Sequence, residues 1–371
     1  MKKLSSYMDH AIELAKRGYG MVEPNPMVGC VILNADGEII GEGWHKEFGK
    51  AHAEINALED CRRRGKSPRG STVLVTLEPC SHHGKTLPCA EALIEAKVGK
   101  VVLAMVDPSE KVGGRGIRML EQAGIRVSVG TGEKKARLLN SSFIKYSQTS
   151  LPWVVLKWAQ SIDGFLTSCS DNSEERWLSC EASRKDVHKL RRSCDAIMAG
   201  IGTALADNPL LTARPDKGRS PHRFVLDSRL RIDTSLKMFQ TTDIAPLTVI
   251  TTSEDLARIE EIEKAGAVVM AVGAEKNGRC SLTQTLKLIG EMGMQRLVVE
   301  GGPALLSEFM RQSLADEAQI YIAPKLLAGT GAASISEALR DISSLSLHHS
   351  ETTTFDNDAK ITARFRNIAE L

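Results

Sequence analysis

The sequence predicts an α/β protein built as two domains, and three observations carry that expectation. Short runs rich in Val, Ile and Leu alternate with stretches of helical periodicity along the whole chain. The pattern starts afresh after a polar stretch that ends near Ser150. The chain has 371 residues, 42% hydrophobic and 25% charged, enough to fill two cores of ordinary size. The expected domains are residues 1–149 and 150–371.

The first domain opens with a helix through Arg17, for which Ser5 or Ser6 is placed as cap. "MVGCVIL" reads as a strand, "NADG" as a hairpin turn and "IIGEGW" as the partner strand. A helix from His52 to about Arg64 follows, then a strand "STVLVTL" and a helix from Pro88. "KVVLAMV", "GIRMLEQAG" and "IRVSVG" continue as strand, helix and strand, and "EKKARLLNSSFIKYSQTSLP" is a helix running into the boundary. The second domain begins with the strand "WVVLKWA" and continues through "AIMAG", "RFVLD", "LTVIT", "AVVMAV", "RLVVEGG" and "AQIYIAP", with helices between many of them.

Charge and composition exclude several classes. A formal net charge of +2 gives no footprint for a polyanion such as nucleic acid. The basic run "RRRGKSPR" reads as a solvated helix end, where cations suit the dipole. No apolar run reaches the length of a membrane span. The N-terminus has acidic residues, Asp9 and Glu13, where a signal peptide needs an apolar core. Eight cysteines then read as cytoplasmic thiols and candidate metal ligands.

The chemistry concentrates in "KAHAEINALED" and "TLEPCSHHGKTLPCAEAL". His52, Cys80 and Cys89 offer one imidazole and two thiolates, three ligands that leave a zinc ion one open position for water. Glu54, two residues after His52, is the candidate proton carrier. Residues two apart do not share a helix face, but at a helix start both can lean toward what the end points at. Pro88 suits a helix start, so Cys89 stands where free backbone N–H groups favour thiolate. His-x-Glu followed by Pro-Cys matches the zinc nucleobase deaminase signature, with eight residues between the cysteines in place of two.

The segments "EPNPMVGCVI", "GEGWHKEFGKAHAEINAL" and "TLEPCSHHGKTLPC" closely resemble the bifunctional deaminase/reductase family of bacterial riboflavin biosynthesis, over nearly the whole chain. The resemblance implies a cytidine-deaminase-like three-layer domain followed by a dihydrofolate-reductase-like α/β domain. It implies zinc and NADPH as cofactors, a phosphorylated pyrimidine as substrate, and a homo-oligomer, dimer or tetramer. In the first domain it places Asn25 and His45 against the pyrimidine, and His82, Lys85 and Asp107 against the ribose phosphate. The family's "DPNP" reads "DPSE" here.

In the second domain "LKWAQSIDG" resembles the opening strand and turn of the family's reductase. No GxGxxG is present; the Gly-rich element is "LVVEGGPALLSEF", a strand, a turn and a helix start able to receive an anion. The resemblance implies cofactor contacts at Trp177, Thr203, Asp207, Ser228, Gly302, Ala304 and Leu305. It implies substrate contacts at Lys157, Glu175, Arg184, Leu211, Arg214 and Glu300, with Glu175 where the family usually carries Ser. Two other readings share part of the pattern. One is a deaminase of tRNA adenosine or cytidine. The other is a deaminase whose C-terminal half only binds a nucleotide.

Overall fold

The computed structural model describes residues 2–81, 87–109, 113–168, 178–214, 219–328, 331–341 and 344–366. They form two compact units, one ending at Thr149 and the other beginning at Ser150.

The first unit runs α1 (Lys2–Lys16), β1 (Gly29–Leu33), β2 (Ile39–Trp44), α2 (Ala53–Arg63), β3 (Thr72–Val75), α3 (Cys89–Glu95), β4 (Lys100–Leu103), α4 (Arg115–Gln122), β5 (Arg126–Val129), α5 (Glu133–Leu139) and α6 (Ser141–Thr149). Its sheet has the order β2-β1-β3-β4-β5. β1 is antiparallel to β2 and β3, whereas β3, β4 and β5 are parallel. Alternation along each strand feeds two cores. Cys30, Ile32, Val73, Val75 and Val101 meet α2, α3 and α4 on one face, and Val31, Leu33, Leu74 and Val102 meet α1, α5 and α6 on the other. This is the expected three-layer arrangement.

Two local expectations are corrected. Ser5 and Ser6 lie inside α1, which begins at Lys2. Leu4 extends the buried stripe by packing on the core, so the helix gains a turn before either serine. The stretch expected as one helix is two, broken at Asn140. The buried Asn140 side chain accepts from Met27 N–H at 2.8 Å and donates to Met27 C=O at 2.9 Å. That paired bond to a distant segment favours the break over a continuous helix.

The second unit runs β6 (Trp153–Ser161), β7 (Phe165–Ser168), α7 (Glu181–Arg192), β8 (Ala196–Gly200), α8 (Ile201–Asp207), β9 (His222–Leu226), β10 (Leu247–Thr251), α9 (Leu256–Lys264), β11 (Val268–Ala271), α10 (Leu282–Glu291), β12 (Arg296–Glu300), α11 (Pro303–Arg311), β13 (Glu317–Ala323), β14 (Gly331–Ser334), α12 (Ile335–Ala338), β15 (His349–Phe355) and β16 (Asp358–Arg364). Nine strands form one sheet in the order β11-β10-β9-β8-β12-β6-β13-β16-β15. The strands from β11 to β13 are parallel; β16 and β15 close that edge as an antiparallel hairpin. α10 and α11 cover one face through Leu286, Ile289, Leu306 and Phe309, and α9 covers the other through Ile262. The β15–β16 hairpin and the small β7–β14 pair were not foreseen, because "HSETTTF" is exposed along most of its length and shows no buried face.

Gly41 and Gly43 of β2 set the position of α2. A Cβ on Gly43 would lie 2.5 Å from Ala57 N and 2.6 Å from Ala53 O; one on Gly41 would lie 2.5 Å from Ala57 O. The helix backbone therefore rests directly on the strand, and its first turn is fixed over the sheet. Gly43→Ala is expected to push α2 outward and destabilise the protein by roughly 1–3 kcal/mol, as overpacking does. Urea unfolding of the variant against wild type measures this.

Candidate active sites

The crossover β2–α2–β3 and the β3–α3–β4 unit place the starts of α2 and α3 beside the carboxyl end of β3, the usual ligand end of parallel strands. His52 is the N-cap residue of α2, with extended backbone and no side-chain cap bond, so its imidazole is not used on its own helix. Pro88 is the N-cap of α3 and Cys89 its first residue. Cys80 lies in the loop after β3.

These three side chains converge. His52 Nδ1 lies 3.6 Å from Cys80 Sγ and 3.4 Å from Cys89 Sγ. All three ligand atoms lie within 4.8 Å of one another. Cys89 N–H donates to Cys80 Sγ at 3.3 Å. A tetrahedral zinc with bonds of about 2.3 Å to sulfur and 2.0–2.1 Å to nitrogen holds such ligands roughly 3.6 Å apart. The electrostatics agree. The Cys89 hydrogen bond and then the His52 imidazole offset burial and hold the Cys80 thiol down at about 4, while Cys89, as donor, is pushed up. Two thiols at this distance do not both ionise unaided, and a dication between them removes the conflict. The donor set fits zinc.

Glu54 is buried in the first turn of α2. Burial first, and then the charge on Cys80, raise its carboxyl to about 7. It can therefore hold or release a proton near neutrality. The adjoining wall is made by His45 and Asn25. His45 Nδ1 lies 3.2 Å from Ala51 C=O, which makes Nδ1 the donor, and Nε2 then accepts from Asn25 Nδ2 at 3.3 Å. Burial lowers the His45 pKa, which keeps this neutral tautomer. Its ring meets His52 edge-on at 5.2 Å between centroids. Asn56 donates to Trp44 C=O and Ala51 C=O and so fixes the intervening loop.

Asp107 stands in the loop after β4, with Ser109 N–H donating to it at 2.9 Å. His82 and Lys85 lie outside the described residues. A residue that the sequence reading missed ties these loops together. Glu78, buried in "TLEPC", accepts from the backbone N–H of Asp107, Gly114, Gly116 and Ile117 at 2.9–3.3 Å. It anchors the Cys80 loop to the Asp107 loop and to the start of α4. A carboxylate two residues before a ligand Cys carries no sequence signal of its own.

In the second unit, Glu300 ends β12 and stands in register beside Lys157 of β6. Lys157 Nζ is 3.7 Å from Glu300 Oε2. Arg191 of α7 grips the same carboxylate at 2.7 and 2.9 Å, a bidentate pair. Burial would raise the Glu300 pKa, but Arg191 and then Lys157 outweigh it and hold the group at about 2. Burial lowers the Lys157 pKa. His188, one turn before Arg191, has a buried Nδ1 with no hydrogen-bond partner among the described residues, and burial followed by Arg191 and Arg214 depress the imidazole pKa to about 4. Arg191 and His188 were absent from the expected set. Arg184 instead donates to Ser179 C=O. Leu211 is buried at a φ of +54°, and Arg214 is exposed. Trp177 and Glu175 lie outside the described residues.

Next to Glu300, Gly302 caps α11 and donates its N–H to Thr203 Oγ1 at 3.1 Å. A cleft of about 480 Å³ extends from this helix start; Gly200, Ile201, Ser228, Ala304 and Leu305 are in its wall. Leu305 packs over Gly200 and Gly301. Asp207 is the last residue of α8. The positive end of the α11 dipole, opening on a cleft at the carboxyl ends of parallel strands, suits a dinucleotide pyrophosphate.

Residues 1–105 match the family model of the cytidine and deoxycytidylate deaminase zinc-binding region, and residues 152–361 match that of the RibD C-terminal domain. The chain is 40% identical to the riboflavin biosynthesis protein RibD of Actinobacillus pleuropneumoniae, over 87% of this chain and 84% of that one. It is similar to the structure of Acinetobacter baumannii RibD, with a TM-score of 0.83, 34% identity, and 98% and 99% of the two chains covered. A Thermotoga maritima structure, described as a diaminohydroxyphosphoribosylaminopyrimidine deaminase/5-amino-6-(5-phosphoribosylamino)uracil reductase, gives a TM-score of 0.82 at 34% identity, covering 98% and 99%. The chain belongs to the RibD family, the zinc-dependent deaminases and NADPH-dependent reductases of riboflavin biosynthesis.

Proposed function

We propose that residues 1–149 deaminate a diaminohydroxypyrimidine bearing a phosphoribosylamino group, at the cluster of His52, Glu54, Cys80 and Cys89. We propose further that residues 150–371 reduce the ribosyl chain of the deaminated product to ribityl, at the cluster of Lys157, Arg191 and Glu300. The observation that carries the reading is the approach of His52 Nδ1 to both sulfurs, at 3.4 and 3.6 Å, with the buried Glu54 in the same helical turn. The two activities are those in the description of the similar Thermotoga maritima protein.

In the deamination, water adds to the carbon bearing the 2-amino group and ammonia leaves. A zinc ion held by His52, Cys80 and Cys89 supplies the acidity that makes water a nucleophile near neutral pH. Glu54 takes one proton of that water on a carboxylate oxygen and passes it to the ring nitrogen; it then takes the second, from the hydroxyl now on the carbon, and passes it to the amine, which departs as ammonia. A pKa of about 7 suits a group that must both accept and return it. Neutral His45 and the Asn25 amide hold the pyrimidine edge, and Asp107, His82 and Lys85 the ribose phosphate. In the reduction, NADPH held along the start of α11 would supply the hydride that the anomeric carbon needs. Of the cations at Glu300, Lys157 is the one able to release a proton, because a guanidinium keeps its own. Glu300 and Arg191 hold that ammonium in position. Arg184, Arg214, Leu211 and Glu175 complete the substrate side, and Trp177, Thr203, Asp207, Ser228, Gly302, Ala304 and Leu305 the cofactor side.

The enzyme is assigned to the cytoplasm as a homo-oligomer, dimer or tetramer, without a nucleic-acid partner. Two facts support the compartment: every described cysteine is a free thiol, and no helix among the described residues is long and apolar enough to cross a membrane.

Three outcomes are expected. Metal analysis of wild type gives one zinc per chain and Cys80→Ser loses most of it; zinc content unchanged by that substitution would overturn the ligand set. Glu54→Gln keeps its zinc and loses about 10²–10⁴-fold in deamination rate, the usual contribution of a general acid–base group. It still reduces the deaminated substrate. Lys157→Ala deaminates normally while reduction falls by a similar factor. Product masses with and without NADPH separate the steps, and loss of both activities in either folded, zinc-loaded variant would contradict independent sites.

A further inference from the structure

One face of the second sheet carries a row of polar side chains on neighbouring strands. Glu300 of β12 stands in register with Lys157 of β6, and Tyr321 of β13 with Lys360 of β16; β6 lies beside β13. α7 adds Arg191 at the Glu300 end of the row and Asp186 at the Lys360 end. Beside the cluster of Lys157, Arg191 and Glu300 there is thus a second one, of Tyr321, Asp186 and Lys360.

Lys157 ends in an ammonium on a flexible stem. Arg191 takes both oxygens of Glu300 at 2.7 and 2.9 Å, and the carboxylate reaches the ammonium only at 3.7 Å, beyond hydrogen-bond length. The ammonium also stands over the Tyr321 ring, 5.6 Å from its centroid. An aromatic face attracts a cation at this range, and more strongly where water is excluded. The ring itself is fixed. Tyr321 is fully buried, and its hydroxyl donates to Asp186 Oδ2 at 2.7 Å. Lys360 Nζ donates to the same oxygen at 2.7 Å. Lys360 lies 5.8 Å from the ring centroid as well, with its charge compensated by Asp186.

Resting on the reading of Lys157 as the proton donor of the reduction, we propose that Tyr321 is a positioning residue: its ring steadies the Lys157 ammonium, and Asp186 with Lys360 steadies the ring. In the step it serves, hydride reaches the anomeric carbon and the bond from that carbon to the ribose ring oxygen breaks. That oxygen takes the proton that Lys157 releases, and Lys157 regains one from solvent. The ring favours the charged form of Lys157, so it raises the pKa against burial; without it the group loses its proton at lower pH. Glu300 from β12 and Arg191 from α7 face the same ammonium, with Asp186 and Lys360 at the ring, and all four stay in place when only Tyr321 is changed.

The test is the pH profile of kcat for NADPH-dependent reduction of the deaminated substrate by the zinc-loaded full chain, with deamination by the same preparations as a control. Tyr321→Leu is expected to lose about 10-fold in kcat and to move the alkaline limb down by about one pH unit, the size of a desolvated cation–π contact. Tyr321→Phe keeps the ring and should bring the limb back to its wild-type position. Trifluorophenylalanine in place of Tyr321 keeps the shape of that variant but withdraws charge from the ring face, and should move the limb part of the way down. This pair decides the matter even if Tyr321→Leu fails to fold. A limb at the same pH in the Phe and trifluorophenylalanine variants overturns the positioning role. A Lys157→Ala variant that reduces at the wild-type rate overturns the reading of Lys157 as donor, and the role of Tyr321 with it.

Discussion

The first site depends on a contact between backbones. β2 carries Gly41 and Gly43 where α2 crosses it, and any larger side chain would meet helix backbone within 2.5–2.6 Å. α2 therefore lies closer to the sheet than side-chain packing normally permits. That closeness buries Glu54 and brings His52 level with the loop after β3. Only then can an imidazole on one helix start meet thiols from a loop and from another helix start. The chemistry needs three ligands from separate segments, and the sheet supplies the common frame.

The second unit solves a similar problem with charge. Glu300 ends a central strand with its side chain only 11% exposed, and a lone carboxylate there would be costly. Arg191 from α7 and Lys157 from the neighbouring strand compensate it, so three elements are held at one point. The price of such a cluster is desolvation, and breaking it by removing one partner leaves a buried charge unpaired. The cluster's value is positional: it keeps an ammonium of lowered pKa at the end of β12, one step from the helix start that suits a pyrophosphate.

Much of this was legible in the sequence, for physical reasons that differ by residue. His52, Glu54, Cys80 and Cys89 stand in short motifs whose residue types are seldom found together without a metal, and the inner strands, such as "MVGCVIL", "AIMAG" and "LTVIT", announce themselves by buried apolar runs. What was not legible is long-range pairing. Arg191 reads as one cation in a basic helix, and only the fold shows that it, rather than Arg184, grips a carboxylate 109 residues away. Glu78 reads as an ordinary acidic residue until its four backbone donors arrive from the segment 107–117. Asn140 looks compatible with a continuous helix because its partner, Met27, is 113 residues distant. The β15–β16 hairpin is hidden for a different reason: a sheet edge facing solvent has no apolar alternation to betray it.

Net charge is a poor guide to what such a protein can bind. The formal value of +2 argues against a nucleic-acid surface, yet both proposed substrates and the cofactor carry phosphate. The resolution is local. Small anions need a few donors that are not already paired, and the chain separates its cations accordingly. Arg191, Arg223 and Arg296 are engaged inside the fold, where they compensate carboxylates or carbonyls. Arg229 and Arg279 stand exposed on turns, and among the described residues their guanidiniums have no ion pair or hydrogen bond. A count of basic residues merges the two groups; the distinction between them exists only once the backbone has placed each one.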